Sequence, residues 1–316
     1  MSKKVAVVAI GGNSLIKDKN HQTVEDQYQA SAETAHHIAD MIEAGWDVAI
    51  GHGNGPQVGF ILRRSEIAAK TEGMHEIPLD VCGADSQGAI GYALQQCLQN
   101  EFYHRGIKKN VATVITQTLV DKNDPAFKKP SKPIGGFMDE AEAKRREHEM
   151  GWTVVEDAGR GWRRVVPSPA PIRIVQQDVI MTLAKAGFTV IGVGGGGIPV
   201  IENQIGDLVG VEAVIDKDLA SALLASGISA DLFLISTDVE KVAVDFHTPT
   251  ERWLDHLTIS EAKRHLAEGQ FGKGSMEPKI EAALNFLDHG GKRVIITNTK
   301  NMILALNGKT GTHILA

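Results

Sequence analysis

The chain has 316 residues, 42% of them hydrophobic, with a formal net charge of −6 and a pI near 6.1. That length accommodates one large α/β unit or two lobes with a full core. The acidic balance excludes a general nucleic-acid or anionic-membrane surface.

Residues 5–10 form a continuous apolar, β-branched run, expected as a buried parallel strand, and end in Gly11-Gly12-Asn13. A helix is predicted over 24–44, with Ile38, Met41 and Ile42 on one side and Gly45 as its stop. The next strand, 46–50, also runs into glycines: Gly51-His52-Gly53-Asn54-Gly55-Pro56-Gln57. Helices over 58–69 and 86–99 and a strand over 111–118 follow. This alternation predicts an α/β fold, an open and mostly parallel sheet with helices on both faces. Ligands of such sheets sit beyond the carboxyl ends of the strands, where these glycine turns fall.

Residues 121–171 differ in composition. They hold six of the eleven prolines and the basic stretch Lys128-Lys129-Pro130-Ser131-Lys132-Pro133. About fifty residues is too long for an idle loop, so a small protruding subdomain able to cover a site is expected. The alternation then resumes with a helix over 176–186, a strand over 188–193 and the turn Gly194–Gly197. An apolar, strand-like approach from 211 runs into Asp216-Lys217-Asp218, which opens another helix. A strand over 232–236 ends in Thr237-Asp238. A helix over 260–268 precedes the loop Phe271-Gly272-Lys273-Gly274-Ser275-Met276 and a helix reaching 287. A strand over 293–297 is expected to close the sheet, before a short helix and a terminal segment at 312–315.

Neither cysteine, Cys82 or Cys97, belongs to a CxxC or to a Cys/His ligand spacing, and the histidines include no HExxH. No metal held by the protein is expected, and the cysteines read as reduced thiols. The apolar run at 5–10 is too short for a signal peptide, and the uncharged run 188–201 is glycine-rich and too short for a membrane span. A soluble, cytoplasmic protein is expected.

Four turns at strand ends, 11–13, 51–57, 194–197 and 272–275, carry closely spaced glycines. Such turns can aim backbone N–H groups at phosphate or carboxylate oxygens. Lys217 and Lys279 stand beside them, which favours polyanion binding. The triplet Asp216-Lys217-Asp218 taken alone reads equally as a helix opening with acids in its first turn. A Walker A loop is excluded because Ile303 stands where the first glycine before Gly308-Lys309-Thr310 should be. Gly192, Gly194 and Gly197 spell GxGxxG, but the extended Ile198-Pro199-Val200-Ile201 leaves no helix N-terminus for a pyrophosphate. Phosphoryl transfer without a P-loop fits instead. Two lysines neutralise the transferring group, Asp218 keeps them oriented, and Mg²⁺ travels with ATP or ADP.

The motifs also come together in one family. In order they are Gly-Gly-Asn at 11–13, His-Gly-Asn-Gly-Pro-Gln-Val-Gly at 52–59, Ser-Gln-Gly at 86–88 and Thr-Gln at 116–117. Lys-Pro-Ile-Gly at 132–135, Glu-Asp-Ala-Gly-Arg-Gly-Trp-Arg at 156–163 and Val-Val-Pro-Ser-Pro at 165–169 follow. Gly-Gly-Gly-Gly-Ile-Pro-Val at 194–200, Ala-Val-Ile-Asp-Lys-Asp at 213–218 and Gly-Ser-Met-x-Pro-Lys at 274–279 complete the set. The chain resembles the carbamate kinases, of the amino-acid-kinase fold, from residue 5 to its end. That resemblance implies a homodimer with ATP/ADP and carbamate/carbamoyl phosphate as substrates, usually run toward ATP in nitrogen or arginine-type catabolism. It implies an acceptor lobe over 1–207, including the subdomain at 121–171, and a nucleotide lobe over 208–316. It places the acceptor at Gly11, Gly12, Asn13, Gly53 and Asn54, with Lys132 covering it from the subdomain. Lys217 and Lys279 would contact the transferring phosphoryl group, with Asp218 organising them. Thr237, Asp238, Val239, Gly274, Ser275 and Met276 would hold the nucleotide.

Two positions depart from the family pattern, Asp85 and Ser14. Asp85 is expected as a first-turn acid of the helix over 86–99; aimed at the acceptor, it would put a plain carbamate site in doubt. His52 is read as turn structure. Two rivals remain: a relative of the same fold acting on a larger acid, which would want an arginine beside the first glycine turns, and a nucleotide sensor without turnover.

Overall fold

The computed structural model describes residues 4–11, 21–156, 159 and 161–315. Gly12, Asn13 and Ser14 lie outside the described residues, as do Asp157, Ala158 and Arg160. The chain opens with β1 (Lys4–Ile10), α1 (Val24–Glu43), β2 (Trp46–His52), α2 (Gly55–Glu72), α3 (Leu79–Arg105) and β3 (Val111–Thr113). β4 (Gln117–Val120) leads out to β5 (Lys132–Met138), α4 (Glu140–Met150), β6 (Thr153–Glu156) and β7 (Trp162–Val166), and β8 (Pro171–Ile174) returns. Next come α5 (Gln177–Lys185), β9 (Thr189–Ile191), β10 (Ile198–Glu202), β11 (Leu208–Gly210), α6 (Lys217–Gly227) and β12 (Leu232–Thr237). The remainder is β13 (Val242–Val244), β14 (Arg252–Leu254), β15 (His256–Thr258), α7 (Ile259–Ala267) and α8 (Glu277–Asp288). It finishes with β16 (Arg293–Asn298), α9 (Met302–Leu306) and β17 (Thr312–Leu315).

The main sheet runs β15-β17-β16-β12-β1-β2-β9-β3. Its neighbours are parallel except β16 and β17. Both faces are covered, as the unbroken apolar run of β1 requires. Val7 and Ala9 pack with Ala220, Leu224, Ile280 and Phe286 of α6 and α8. Ala6, Val8 and Ile10 pack with Ile38 and Met41 of α1 and Leu94 and Phe102 of α3. Each fully buried Ile, Leu or Phe there contributes about 1.5–3 kcal/mol of transfer free energy.

Several expected boundaries move. α2 starts on the glycine turn itself, at Gly55, with Pro56 in its first turn where a missing N–H costs nothing. α3 starts at Leu79, directly after Pro78, rather than near 86. The strand expected over 111–118 divides: β3 ends one edge of the main sheet, and β4 joins a second sheet, β11-β10-β4-β8. Gln87 marks the crossing, because its side chain pairs with the Thr116 amide (2.8 Å) and carbonyl (3.0 Å). The approach over 211–215 contains no strand; β11 lies just before it. Nor does β16 close the sheet, since β17 and β15 continue it.

The excursion has structure of its own, the antiparallel sheet β5-β7-β6 with α4 against it. Asp139 caps α4 and Gly151, in the left-handed region, ends it. Trp152 stacks with the guanidinium groups of Arg146 and Arg164, both 4.8 Å from its ring. This unit rests on α2 where two backbones nearly touch: a Cβ added to Gly59 would lie 2.2 Å from Gly135 Cα. Gly59→Ala is therefore expected to push β5 off α2 and to cost about 1–3 kcal/mol, the usual penalty of overpacking. Urea denaturation measures this, and an unchanged midpoint would show that the contact yields freely.

Candidate active site

The N-terminus of α6 is the centre of the site. Asp216 has the extended backbone of an N-cap, and its Oδ1 accepts from the amides of Asp218 (2.8 Å) and Leu219 (3.4 Å). Capping leaves Asp216 Oδ2 available, and Lys132 at the start of β5 donates to it at 2.6 Å. Lys217 and Asp218 are the first two residues of the helix. Asp218 is only 2% exposed, and its two oxygens serve two lysines. Oδ1 accepts from Lys217 Nζ, and Oδ2 accepts from Lys279 Nζ at 3.3 Å. Lys279, in the first turn of α8, also donates to the Ser275 carbonyl at 3.0 Å. Three ammonium groups and two carboxylates from three segments thus meet at one helix N-terminus, whose dipole adds further positive potential.

Burial would raise the Asp216 carboxyl, but Lys132, Lys217 and the Asp218 amide outweigh it and hold the group below the ordinary carboxylate range. For Lys217 burial is the largest influence and lowers its ammonium; Lys279 pushes the same way, while Asp218 and Asp216 oppose. Lys217 is thus a cation kept short of water, ready for an anion that would complete its neutralisation.

These lysines face a cleft of about 480 Å³ beyond the carboxyl ends of β1 and β12. Gly11, Lys217 and Lys279 line it, together with Thr237, Asp238 and Val239 and with Gly274, Ser275 and Met276. All six residues expected for the nucleotide therefore share one cavity with both expected phosphoryl lysines. The sequence reading missed the opposite wall, where Lys241, Phe246 and Trp253 come from the hairpin β13–β14 and its approach. Phe246 and Trp253 meet edge to face at 6.1 Å, and Lys241 pairs with Asp255 at 2.7 Å.

Gly53 and Asn54 lie at the end of β2. The Gly53 amide bonds to the Ile10 carbonyl at 3.0 Å, and Asn54 Nδ2 donates to Ser86 Oγ at 3.1 Å. The turn 194–197 is buried against this corner and takes no part in lining the cleft. A Cβ on Gly195 would fall 2.3 Å from Asn54 Nδ2, and one on Gly194 2.5 Å from His52 Nε2. Close packing by itself demands glycine there. His52 itself is structural: it is 1% exposed and its Nδ1 bonds to the Gly53 carbonyl at 2.9 Å.

The amino acid kinase family model matches residues 4–298. The chain belongs to the amino acid kinase family. Within that family, it is 51% identical over 313 residues to carbamate kinase of Thermococcus kodakarensis, covering 99% of both chains. It is equally 51% identical, again over 99% of both, to the carbamate kinase-like protein YahI of Escherichia coli. Among solved structures, carbamate kinase of Giardia lamblia bound to AMP-PNP superposes with a TM-score of 0.91 at 43% identity, covering 100% of this chain and 99% of that one.

As an amino acid kinase the chain departs from one expectation about its acceptor side. Asp85 is not a first-turn acid, because α3 begins at Leu79 and its first-turn acid is Asp80. Asp85 is exposed in mid-helix, while its neighbours Ser86 and Gln87 are the ones turned inward. As for a divalent ion, no group of three or more His, Cys, Asp or Glu among the described residues could hold one. The buried cleft carboxylate, Asp218, is already shared by two lysines.

Burial lowers the His52 imidazole to about 4, against which its hydrogen bond to Gly53 acts only weakly. The sign follows directly: the unfolded histidine, at about 6.5, takes up its proton first, so stability is intact above pH 6.5 and falls between about 6.5 and 4. The loss reaches on the order of 3 kcal/mol. His52→Gln should flatten this part of the acid limb in urea midpoints taken from pH 7 to 4.5; an identical limb would show that His52 protonates without cost.

Proposed function

We propose that this chain is a carbamate kinase, catalysing ATP + carbamate ⇌ ADP + carbamoyl phosphate. The observation that carries the reading is the trio Lys217–Asp218–Lys279 at a cleft lined by Thr237–Val239 and Gly274–Met276. Toward ATP, a β-phosphate oxygen of ADP attacks the phosphorus of carbamoyl phosphate, the bond from phosphorus to the carbamoyl oxygen breaks, and carbamate leaves. Such transfer depends on positioning and on neutralising charge at the transferring oxygens. Lys217 and Lys279 supply that charge, and Asp218 fixes their separation. Gly11, Gly12, Asn13, Gly53 and Asn54 hold the acceptor. Lys132, now seen to reach Asp216, brings the subdomain to the same point. Mg²⁺ arrives with the nucleotide as part of the substrate. Carbamate attacks through an oxygen that is already anionic, so the reaction needs no general base.

The lobes divide at about residue 207, with the nucleotide on the later half. Flux toward ATP in arginine-type catabolism fits the resemblance, and the free thiols Cys82 and Cys97 fit a reducing cytoplasm. A homodimer is the assembly we favour, because α3 exposes Val81, Tyr92 and Tyr103 (39%, 61% and 83%) along its length. Sedimentation at micromolar concentration should give twice the 34.0 kDa chain mass; a monomer there would refute it.

A relative of equal identity carries a kinase-like name, so the second reading is a family kinase with another acceptor. ATP formation from ADP and carbamoyl phosphate separates the two. Lys217→Ala and Lys279→Ala should each lower that turnover about ten- to a thousand-fold, the range for removing one transition-state donor, with little change in ADP binding. Asp218→Asn should also be damaging, and Lys132→Ala should raise KM for carbamoyl phosphate rather than for ADP. Near-normal turnover in either lysine-to-alanine variant at 217 or 279 would remove the assigned role.

A further inference from the structure

Buried polar atoms almost always have partners, because stranding one forfeits its hydration with no return. Gln57 breaks that pattern twice: it is 6% exposed, and neither Nε2 nor Oε1 has a hydrogen-bond partner among the described residues. It lies in the first turn of α2, three residues after Asn54, at a spacing that puts the two on one side of the helix start. Its side chain lines a cavity of about 110 Å³ between α1, α2 and α3, with Tyr28, Ser31, Ile61 and Ser86 in the wall. Ser86 joins this cavity to the acceptor corner, since its Oγ accepts from Asn54 Nδ2 and donates to the Gly83 carbonyl at 2.7 Å. Ser86 makes no hydrogen bond to Gln57, so it is not the missing partner.

The chemistry of the walls defines the occupant. Among the described residues no charged side chain lines the cavity, so it suits a neutral group. An unpaired carboxamide offers one acceptor and a donor in a plane, the complement of another amide-like group. The space exceeds one water and is far below what a nucleotide needs. The acceptor proposed above has one end of this kind, its amino and carbonyl edge, and one anionic end. We infer that Gln57 reads the carbamoyl end of the substrate: Oε1 accepts an N–H of the amino group and Nε2 donates to the carbamoyl oxygen. The anionic end then lies toward Gly53, Asn54 and the lysines. Gln57 is thus a specificity-determining residue, and this assignment rests on carbamate being the acceptor.

Acetyl phosphate, with a methyl in place of the amino group, is the probe. Wild-type protein should prefer carbamoyl phosphate, in kcat/KM for ATP formation. Gln57→Met, of similar size but with no amide, should lose about ten- to a hundred-fold with carbamoyl phosphate, as sites built around such hydrogen bonds do. It should lose clearly less with acetyl phosphate, which offers Gln57 only the carbonyl contact, and change little in KM for ADP. Gln57→Glu, which keeps an acceptor but not the amide donor, should fall between. Gln57→Met should also melt no lower than wild type, because two unsatisfied buried atoms are gone; this and retained ADP binding exclude misfolding as the cause. Equal losses with both phosphoryl donors, or an unmoved preference, would overturn the assignment and leave water as the partner of Gln57. A wild-type protein that makes no ATP from carbamoyl phosphate while retaining turnover with another acyl phosphate would overturn the carbamate reading itself, and this inference with it.

Discussion

A carboxylate that has left water must be compensated by cations, and Asp218 organises the molecule around that requirement. One buried group takes an ammonium from its own helix and another from α8, sixty-one positions away in the chain. The arrangement is mutual. Lys217 is itself mostly shielded, so without Asp218 two like charges would share one cleft, and without either lysine the carboxylate would be left partly uncompensated. The cations are therefore set before any substrate enters, which is the condition under which fixed charges stabilise a transition state without reorganising. Asp216 extends the same logic by one residue. It caps the helix with one oxygen and collects Lys132 with the other, so a single carboxylate serves local helix chemistry and long-range assembly together.

The rest of the architecture delivers these groups to one place. Parallel strands with both faces covered leave only their ends for ligands, and β1 and β12 end side by side at the cleft. The buried glycines at 194–197 let a tight turn pass against His52, Asn54 and Ile215, where any side chain would collide. That turn supports the corner that His52 and Asn54 form at the end of β2.

Much of this was legible in the residues. The apolar run of β1, the glycine after α1 and the acids around Lys217 each announce their local structure, because each answers to a short-range rule. The failures share a different cause. Nothing within 111–118 signals a break, since the chain changes sheets there through a side chain twenty-nine positions earlier, Gln87. α3 was read too short because it is covered by α1, α2 and β3 together and so lacks a clean apolar stripe. Misplacing its start misassigned Asp85. The Lys132–Asp216 pair spans eighty-four positions, beyond the reach of any spacing rule. The hairpin that brings Phe246 and Trp253 to the cleft was missed because its strands are three residues each and carry almost no periodic signal.

The way the excursion joins the body carries a consequence for how such chains change over time. β4 and β8, which lead out of it and back, are antiparallel neighbours, with Thr118 opposite Ile174 and Leu119 opposite Arg173. Both ends of some fifty residues are thus held a strand's width apart by the second sheet itself. Closing a long loop costs little extra as it lengthens, and here the closure is built into a ladder that exists independently of what it encloses. The body can therefore tolerate replacement, trimming or enlargement of that module with little disturbance to the main sheet. Diversity can accumulate in that module, while Lys217 and Lys279 stay where Asp218 holds them.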